Sequence, residues 1–385
     1  AWASSWYDMF DVSFSYGWRG NAVQAVSPYM IASDGGLDSY FQQYTLKLKS
    51  LPYPNLGWEK TEDWNLGIDF SFFQGRVSAG LSFYNKISRV LASRNVVIEN
   101  GVENAYVDGT KMKNKGYELY VSVTPVKTKD FSWSLSFNTS KVKNSIRENE
   151  RVNTRLDYIQ GNAIVENEKY QTFYAYAFEG LDAENGRPLF KYMDVEDTEN
   201  DLDYLVKVGC REPDITGGIS TSLRYRKWCL RANFAMSFGA KTFLPTFFAA
   251  SGAPAPERNA PRYLFKRWRK PGDENITNIP SIPAGNPNSM STTLPTGEKL
   301  NPYDMYNQSD LRVAKTDFIR CRMISLHYYL PSGWLKKIGI RQSSFSLSLS
   351  NPFFIAFDEK WDGRDPETAN WPARRTASCS LSFSF

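Results

Sequence analysis

From Trp64 to Phe83 the chain reads WNLGIDFSFFQGRVSAGLSF. Trp64, Leu66, Ile68, Phe70 and Phe72 alternate with Asn65, Gly67, Asp69 and Ser71; then Val77, Ala79, Leu81 and Phe83 alternate with Ser78, Gly80 and Ser82. Successive side chains of a strand point to opposite faces, so this period of two gives each segment one apolar face and one small, polar face. Gln74-Gly75 between them predicts a tight hairpin turn.

Working outward, the same division recurs until about ten such segments are counted. Upstream, Phe10, Val12, Phe14 and Tyr16 alternate with Asp11, Ser13, Ser15 and Gly17. Downstream come Tyr117, Leu119, Val121 and Val123; Phe131, Trp133, Leu135 and Phe137; and Thr221, Leu223 and Tyr225, which precede a short basic turn. Trp228, Leu230, Ala232, Phe234, Met236 and Phe238 form the longest apolar face. The last three segments carry Ile324, Leu326 and Tyr328; Phe345, Leu347 and Leu349; and Ala377, Cys379, Leu381, Phe383 and Phe385.

Connection lengths alternate as well. Short links near 74–75, 126–130, 226–227 and 331–342 trade off with long ones over 19–61, 89–113, 143–213, 241–316 and 352–373. Short periplasmic turns and long extracellular loops give a membrane β-barrel that rhythm, whereas compact soluble folds favour short loops. A soluble β-sandwich or glycan-binding β-protein is the competing reading. A self-contained ten-strand barrel is another, but Ser344, Ser346, Ser348, Ser378, Ser380, Ser382 and Ser384 point inward, and such small side chains suit a wide, wet or plugged lumen better than a narrow packed one. The expected fold is therefore all-β, an antiparallel transmembrane barrel in the outer membrane of a Gram-negative bacterium.

Composition agrees. Aromatic residues make up 15% and hydrophobic ones 42% of the 385 residues. The mean hydropathy of -0.47 is low, and no apolar run approaches the roughly 18–20 residues of a spanning helix. In a barrel only alternate residues face lipid and polar loops dilute the average. A net charge of +5 does not mark a nucleic-acid binder. Cys210, Cys229, Cys321 and Cys379 form no CxxC and are expected to be free thiols. The sequence opens on Ala1 with no leader pattern, so a signal peptide is expected to lie outside it.

Seven motifs resemble, in family order, the SusC/RagA family of TonB-dependent outer-membrane transporters of Bacteroidetes. They are SYGWRGN (Ser15 to Asn21), NLGWEKTEDWNLGIDF (Asn55 to Phe70), NKGYELYVSVTPV from Asn114, YAYAFEGLDAENGRPLF from Tyr174, PDITGGISTSLRYRKWCL from Pro213, FKRWRKPGDE from Phe265 and FIRCRMISLHYYLP from Phe318. The resemblance implies the C-terminal part of a larger barrel, of 22 strands in the family, whose plug domain and N-terminal strands are absent from this chain and are supplied by the same or another chain. It implies import of oligosaccharides or peptides, driven through a TonB complex that contacts the missing N-terminal part, with a SusD-like surface lipoprotein as lid. The alternative is a SusC-like barrel serving as a structural subunit of a larger outer-membrane assembly. The 241–316 connection is the first candidate for lid contact, and its removal is expected to weaken lipoprotein copurification without unfolding the barrel.

Chemistry has little support. His327 is the only histidine, on the lumen-facing phase of a strand, and no HExxH, P-loop or dinucleotide fingerprint is present. The expectation is a non-enzyme without cofactors. Asp197, Glu199, Asp201 and Asp203, and Asp358, Asp362, Asp365 and Glu367, are two acidic clusters that calcium could use, though neither has EF-hand spacing. Cations and aromatics interleave from Arg258 to Lys270; Arg262, Lys266, Arg267, Trp268 and Arg269 are candidates for contact with the lipoprotein or with lipopolysaccharide and outer-membrane lipid, rather than with nucleic acid. Trp64, Trp133, Trp228 and Tyr225 are placed to anchor at membrane interfaces. Leu381, Phe383 and the terminal Phe385 resemble a C-terminal signal for outer-membrane insertion.

Overall fold

The computed structural model describes residues 7–22, 27–53, 57–95, 101–102, 104–148, 153–191, 202–248, 259, 262–283, 291–331, 333, 339–369 and 371–384. Ten strands lie in sequence order in one antiparallel sheet: β1 Tyr7–Asn21, β2 Glu59–Phe72, β3 Val77–Asn95, β4 Asn104–Lys127, β5 Phe131–Glu148, β6 Ile215–Tyr225, β7 Trp228–Phe238, β8 Phe318–Tyr329, β9 Gln342–Ser350 and β10 Thr376–Ser384. A short strand, Phe354–Ala356, pairs with β8 beyond the end of β9. This is the up-and-down barrel topology that the alternation predicts. Among the described residues β1 is bonded only to β2 and β10 only to β9.

The register joins the apolar faces into one belt. Phe14 sits opposite Leu66, Leu66 opposite Phe83, and Phe83 opposite Tyr117. Farther along, Val121 faces Phe137, Phe137 faces Ile219, and Ile219 faces Phe234. The belt continues through Leu230, Leu326, Leu347 and Cys379 in successive strands. On the other side Ser122, Ser136 and Ser220 line up across β4 to β6, and Arg231, Ser325, Ser348 and Ser378 across β7 to β10. A slip of one residue anywhere would put serine in lipid and leucine in the lumen, so the pattern fixes the register. His327 lies on the polar face, opposite Cys229 and Ser346.

Interface aromatics form two levels. Phe131, Tyr225, Trp228, Tyr328 and Phe345 occupy one row across five strands at the short-turn edge, and the Trp228 and Tyr328 rings are 4.5 Å apart. Trp133 sits one step inward and donates from Nε1 to Thr221 Oγ1 at 3.0 Å. Trp64 belongs to the opposite level: it is eight residues from Phe72, about 26 Å of strand, or roughly 20 Å of height at a tilt of ~40°, close to the full height of an apolar band roughly 25 Å tall.

The strands outrun the expected boundaries. Much of the 89–113 connection is strand: β3 continues to Asn95 and β4 starts at Asn104, with Asn95 opposite Asn104. Similarly β1 reaches Asn21 and β2 begins at Glu59. Beyond the bilayer both faces meet water, so the hydrogen-bonded ladder continues while apolar alternation stops. The Gln74-Gly75 turn is also broader than expected, since Phe73, Gln74 and Gly75 all have positive φ, at 56°, 56° and 72°.

Candidate functional site

The long connections on the outer edge fold onto one another. Helix α1, Arg155–Gln160, starts at a capping box in which Thr154 and Asp157 exchange hydrogen bonds, and ends at left-handed Gly161. Its Ile159 belongs to one buried cluster with Tyr176, Phe190, Tyr204 and Leu205 from the 149–214 connection and Phe247, Phe248, Leu264, Leu294, Tyr303, Met305 and Tyr306 from the 239–317 connection. The second helix, α2 (Pro302–Asn307), ends on Asn307, which clamps the chain opposite. Its Oδ1 accepts from the backbone N–H groups of Phe247 and Phe248 at 2.7 and 3.1 Å, and its Nδ2 donates to the Phe248 carbonyl at 2.7 Å. A buried amide so satisfied specifies one loop arrangement.

Charged groups at the edge of this core are matched. Arg155 donates to Tyr176 Oη at 2.5 Å and pairs with Glu298 at 2.7 Å, tying the two connections together. Burial pushes the Tyr176 and Tyr306 phenols up to about 12. Burial, with the Glu168 carboxylate that accepts from the Tyr174 hydroxyl, also raises Tyr174.

The cluster is anchored to the inward phase of β5. Asn144 Oδ1 accepts from Tyr170 N at 2.8 Å, Ile146 N donates to the Glu168 carbonyl at 3.0 Å, and the Ile146 side chain is fully buried. Those contacts place the loops on the lumen side of the sheet, over its outer end. The 351–375 connection joins through Trp361, which packs with Leu244 and Ala314 and donates from Nε1 to the Lys315 carbonyl at 2.7 Å.

No protein-family profile matches the chain. Among curated proteins it is similar to the TonB-dependent receptor SusC of Bacteroides thetaiotaomicron, at 25% identity over 86% of this chain and 32% of that protein. It is similar to the TonB-dependent receptor P3 of Formosa agariphila, at 24% identity over 92% of this chain and 35% of that protein. The RagAB peptide transporter structure superposes on all of this chain and 42% of its own, with a TM-score of 0.77 and 20% identity. The chain is SusC/RagA-like. It spans about a third of the length of the curated relatives it matches, and the shared architecture is that of an outer-membrane β-barrel.

The SusC/RagA-like chain distributes its sequence-predicted residues unevenly. Arg262, Lys266 and Arg269 are exposed, next to Phe265, which is 75% exposed. Trp268 is not a surface contact residue as expected: it is buried, packed on Gly186, whose φ of 70° and closeness to the indole leave no room for a Cβ, and its Nε1 donates to Glu274 at 3.1 Å. With Asn185, Arg187, Arg267, Arg269 and Tyr303 it lines a groove of about 520 Å³ on the loop cluster.

In the second acidic cluster Asp365 and Glu367 are paired with arginines of the chain itself. Asp365 is fully buried against Arg320, and Arg322 pairs with Glu367 at 2.6 Å. Arg320 Nε lies 2.7 Å from Glu367 Oε2, an ion-pair distance without hydrogen-bond alignment. Asp358 caps a 3₁₀ turn at Lys360 N and accepts from Lys315 N. Of the first cluster, Asp197, Glu199 and Asp201 lie outside the described residues, and no group of three potential ligands occurs among the described ones. All four cysteines are free. Leu381 and Phe383 point outward from β10, 55% and 49% exposed, while Phe385 lies outside the described residues.

What the sequence missed is the co-folding of the connections. Its signal was there as aromatic density without alternation, in Tyr174, Tyr176, Phe247, Phe248, Tyr303 and Tyr306.

Proposed function

We propose that this chain forms barrel wall and outer loops of a TonB-dependent importer of oligosaccharides or peptides that works with a SusD-like surface lipoprotein. The observation that carries the reading is the combination of a small, polar lumen face with a rigid aromatic loop cluster folded over its outer end. A lumen phase rich in serine and glycine leaves passage for a hydrated solute, and an ordered rim offers a partner a preformed surface. In this reading β1 and β10 pair with the remaining strands of the barrel, because a free strand edge is not tolerated in lipid. The plug and the TonB-contacting segment lie in the remainder of the protein.

The test is uptake by cells carrying the full-length protein. Growth on the cognate oligosaccharide or peptide is expected to vanish when TonB is deleted, while the barrel stays in the outer membrane. Uptake that persists without TonB would overturn the importer reading. A barrel that supports no uptake under any nutrient, yet is needed to assemble neighbouring proteins, would favour the scaffold. Replacing Arg262, Lys266 and Arg269 by Gln is expected to weaken copurification of the lipoprotein. Deleting 241–316 would be a poor test, because the segment shares its core with 153–214 and its loss would uncover Tyr176, Phe190 and Tyr204.

A further inference from the structure

Above the apolar belt, the lipid-facing phase of β2 to β5 turns abruptly basic. Following that phase outward, Leu66 and Trp64 on β2 lead to Lys60, and Leu81 and Phe83 on β3 lead to Arg89. Leu119 and Tyr117 on β4 are followed by Lys115, Lys113 and Lys111, and Phe137 on β5 by Lys141 and Lys143. These positions face out, not in, because the neighbouring Asn144 and Ile146 are the ones buried under the loop cluster. From Phe131 to Lys141 is ten residues, about 33 Å of strand, or roughly 25 Å of height at a tilt of ~40°. The lysines therefore begin where the hydrocarbon ends.

Several of these cations face one another. Lys115 sits opposite Lys143, and Arg89 sits opposite both Lys60 and Lys111. Like charges directly opposed on one sheet face destabilise it. Lys111 pairs with Glu148 at 3.2 Å, and Glu62 on this phase accepts from Tyr16 Oη at 2.9 Å. Among the described residues Lys113, Lys115, Lys141 and Lys143 have no ion pair. With Trp64, Phe83 and Tyr117 these four line a groove of about 490 Å³ whose floor is aromatic and whose outer rim is cationic.

We propose that this groove binds the phosphorylated headgroup of an outer-leaflet glycolipid of the lipid A class, with acyl chains along Phe83 and Tyr117 and phosphate between Lys113, Lys115, Lys141 and Lys143. An anion placed there removes the lysine repulsion, and the aromatic floor supplies the apolar half of an amphipathic ligand. The site lies on the barrel wall, apart from the 262–269 segment, and is independent of whether the protein transports anything.

The experiment is native mass spectrometry of the detergent-purified full-length protein with diphosphorylated lipid A, its dephosphorylated form, phosphatidylglycerol and inorganic phosphate. The wild type is expected to retain diphosphorylated lipid A selectively. Replacing the four lysines by Gln should lower retention at least about a hundredfold, from roughly fivefold per lysine near an anionic surface, and replacement by Arg should preserve it. Neutralising Arg262, Lys266 and Arg269 should leave it unchanged. If the four-Gln variant does not assemble, neutralising Lys113/Lys115 and Lys141/Lys143 separately should each cost about 25-fold. Retention within twofold of wild type in the Gln variants, equal binding of phosphatidylglycerol or the dephosphorylated lipid, or loss of binding in the 262/266/269 variant would overturn the proposal.

Discussion

Replacing Arg320 by Met should detach the 351–375 connection while sparing the barrel. Arg320 and Asp365 are almost fully buried, so removing the guanidinium leaves a carboxylate held only by the Glu367 and Ala373 N–H groups, at 3.0 and 3.3 Å. Breaking such a pair costs about 3–5 kcal/mol. The value should fall near the lower end, about 3 kcal/mol, because Glu367 is 34% exposed and lets water in, and because Met keeps apolar contact with Phe318 and Phe354, whose rings flank Arg320 at 5.6 and 5.2 Å. Local opening would then rise about a hundredfold. Hydrogen exchange of the full-length protein in detergent reads this at residues 358–366, and Trp361 emission should shift red as its buried indole meets water. Replacing Asp365 by Leu in the same chain should restore most of the protection, since the orphaned charge is gone. Unchanged exchange in the Arg320→Met variant, or a double variant as exposed as the single one, would refute the argument that buried charge pairing holds this loop.

Other outcomes are expected from the same physics. Gly186→Ala should open the 262–283 segment, because φ of 70° and the Trp268 indole both oppose a Cβ, and Trp268→Ala should cost about 3–5 kcal/mol locally; protease nicking near 262–283 checks both. The loop cluster should loosen between pH 10 and about 12. Tyr176 and Tyr306 stay protonated there when folded but ionise when released, so stability present below pH 10 is lost by roughly 2–3 kcal/mol for each tyrosine as pH rises to its folded value near 12; near-ultraviolet circular dichroism should change before the far-ultraviolet β signal does. On the belt, Leu81→Arg should lower barrel stability by about 2–4 kcal/mol while Ser82→Arg on the lumen phase costs little, as measured by urea unfolding in lipid vesicles. Replacing Leu381 and Phe383 together by Ser should reduce the amount of assembled, heat-modifiable protein in outer membranes, an effect that Ser380→Ala with Ser382→Ala should not reproduce.

The alternating segments, with the rhythm of short and long connections, pointed to barrel sequence, to about ten strands and to the face that meets lipid. That much is local: where a strand separates hydrocarbon from water, each residue must answer to one solvent or the other, so the code is written at a spacing of two. It became unreadable where strands leave the bilayer, as in 89–113, because water on both faces imposes no alternation while the backbone ladder persists. The aromatic residues of the long connections carried no period at all, and only the tertiary structure decided that Ile159, Tyr176, Phe248 and Tyr306 share one core, that Trp268 is a pillar and not a contact, and that Asp365 answers Arg320. The lysine groove was divided in the same way. Each lysine was visible as one charge in a polar stretch, but Lys115 faces Lys143 across two strands, and it is the register of the folded sheet that brings those charges together, with no ion pair to either among the described residues.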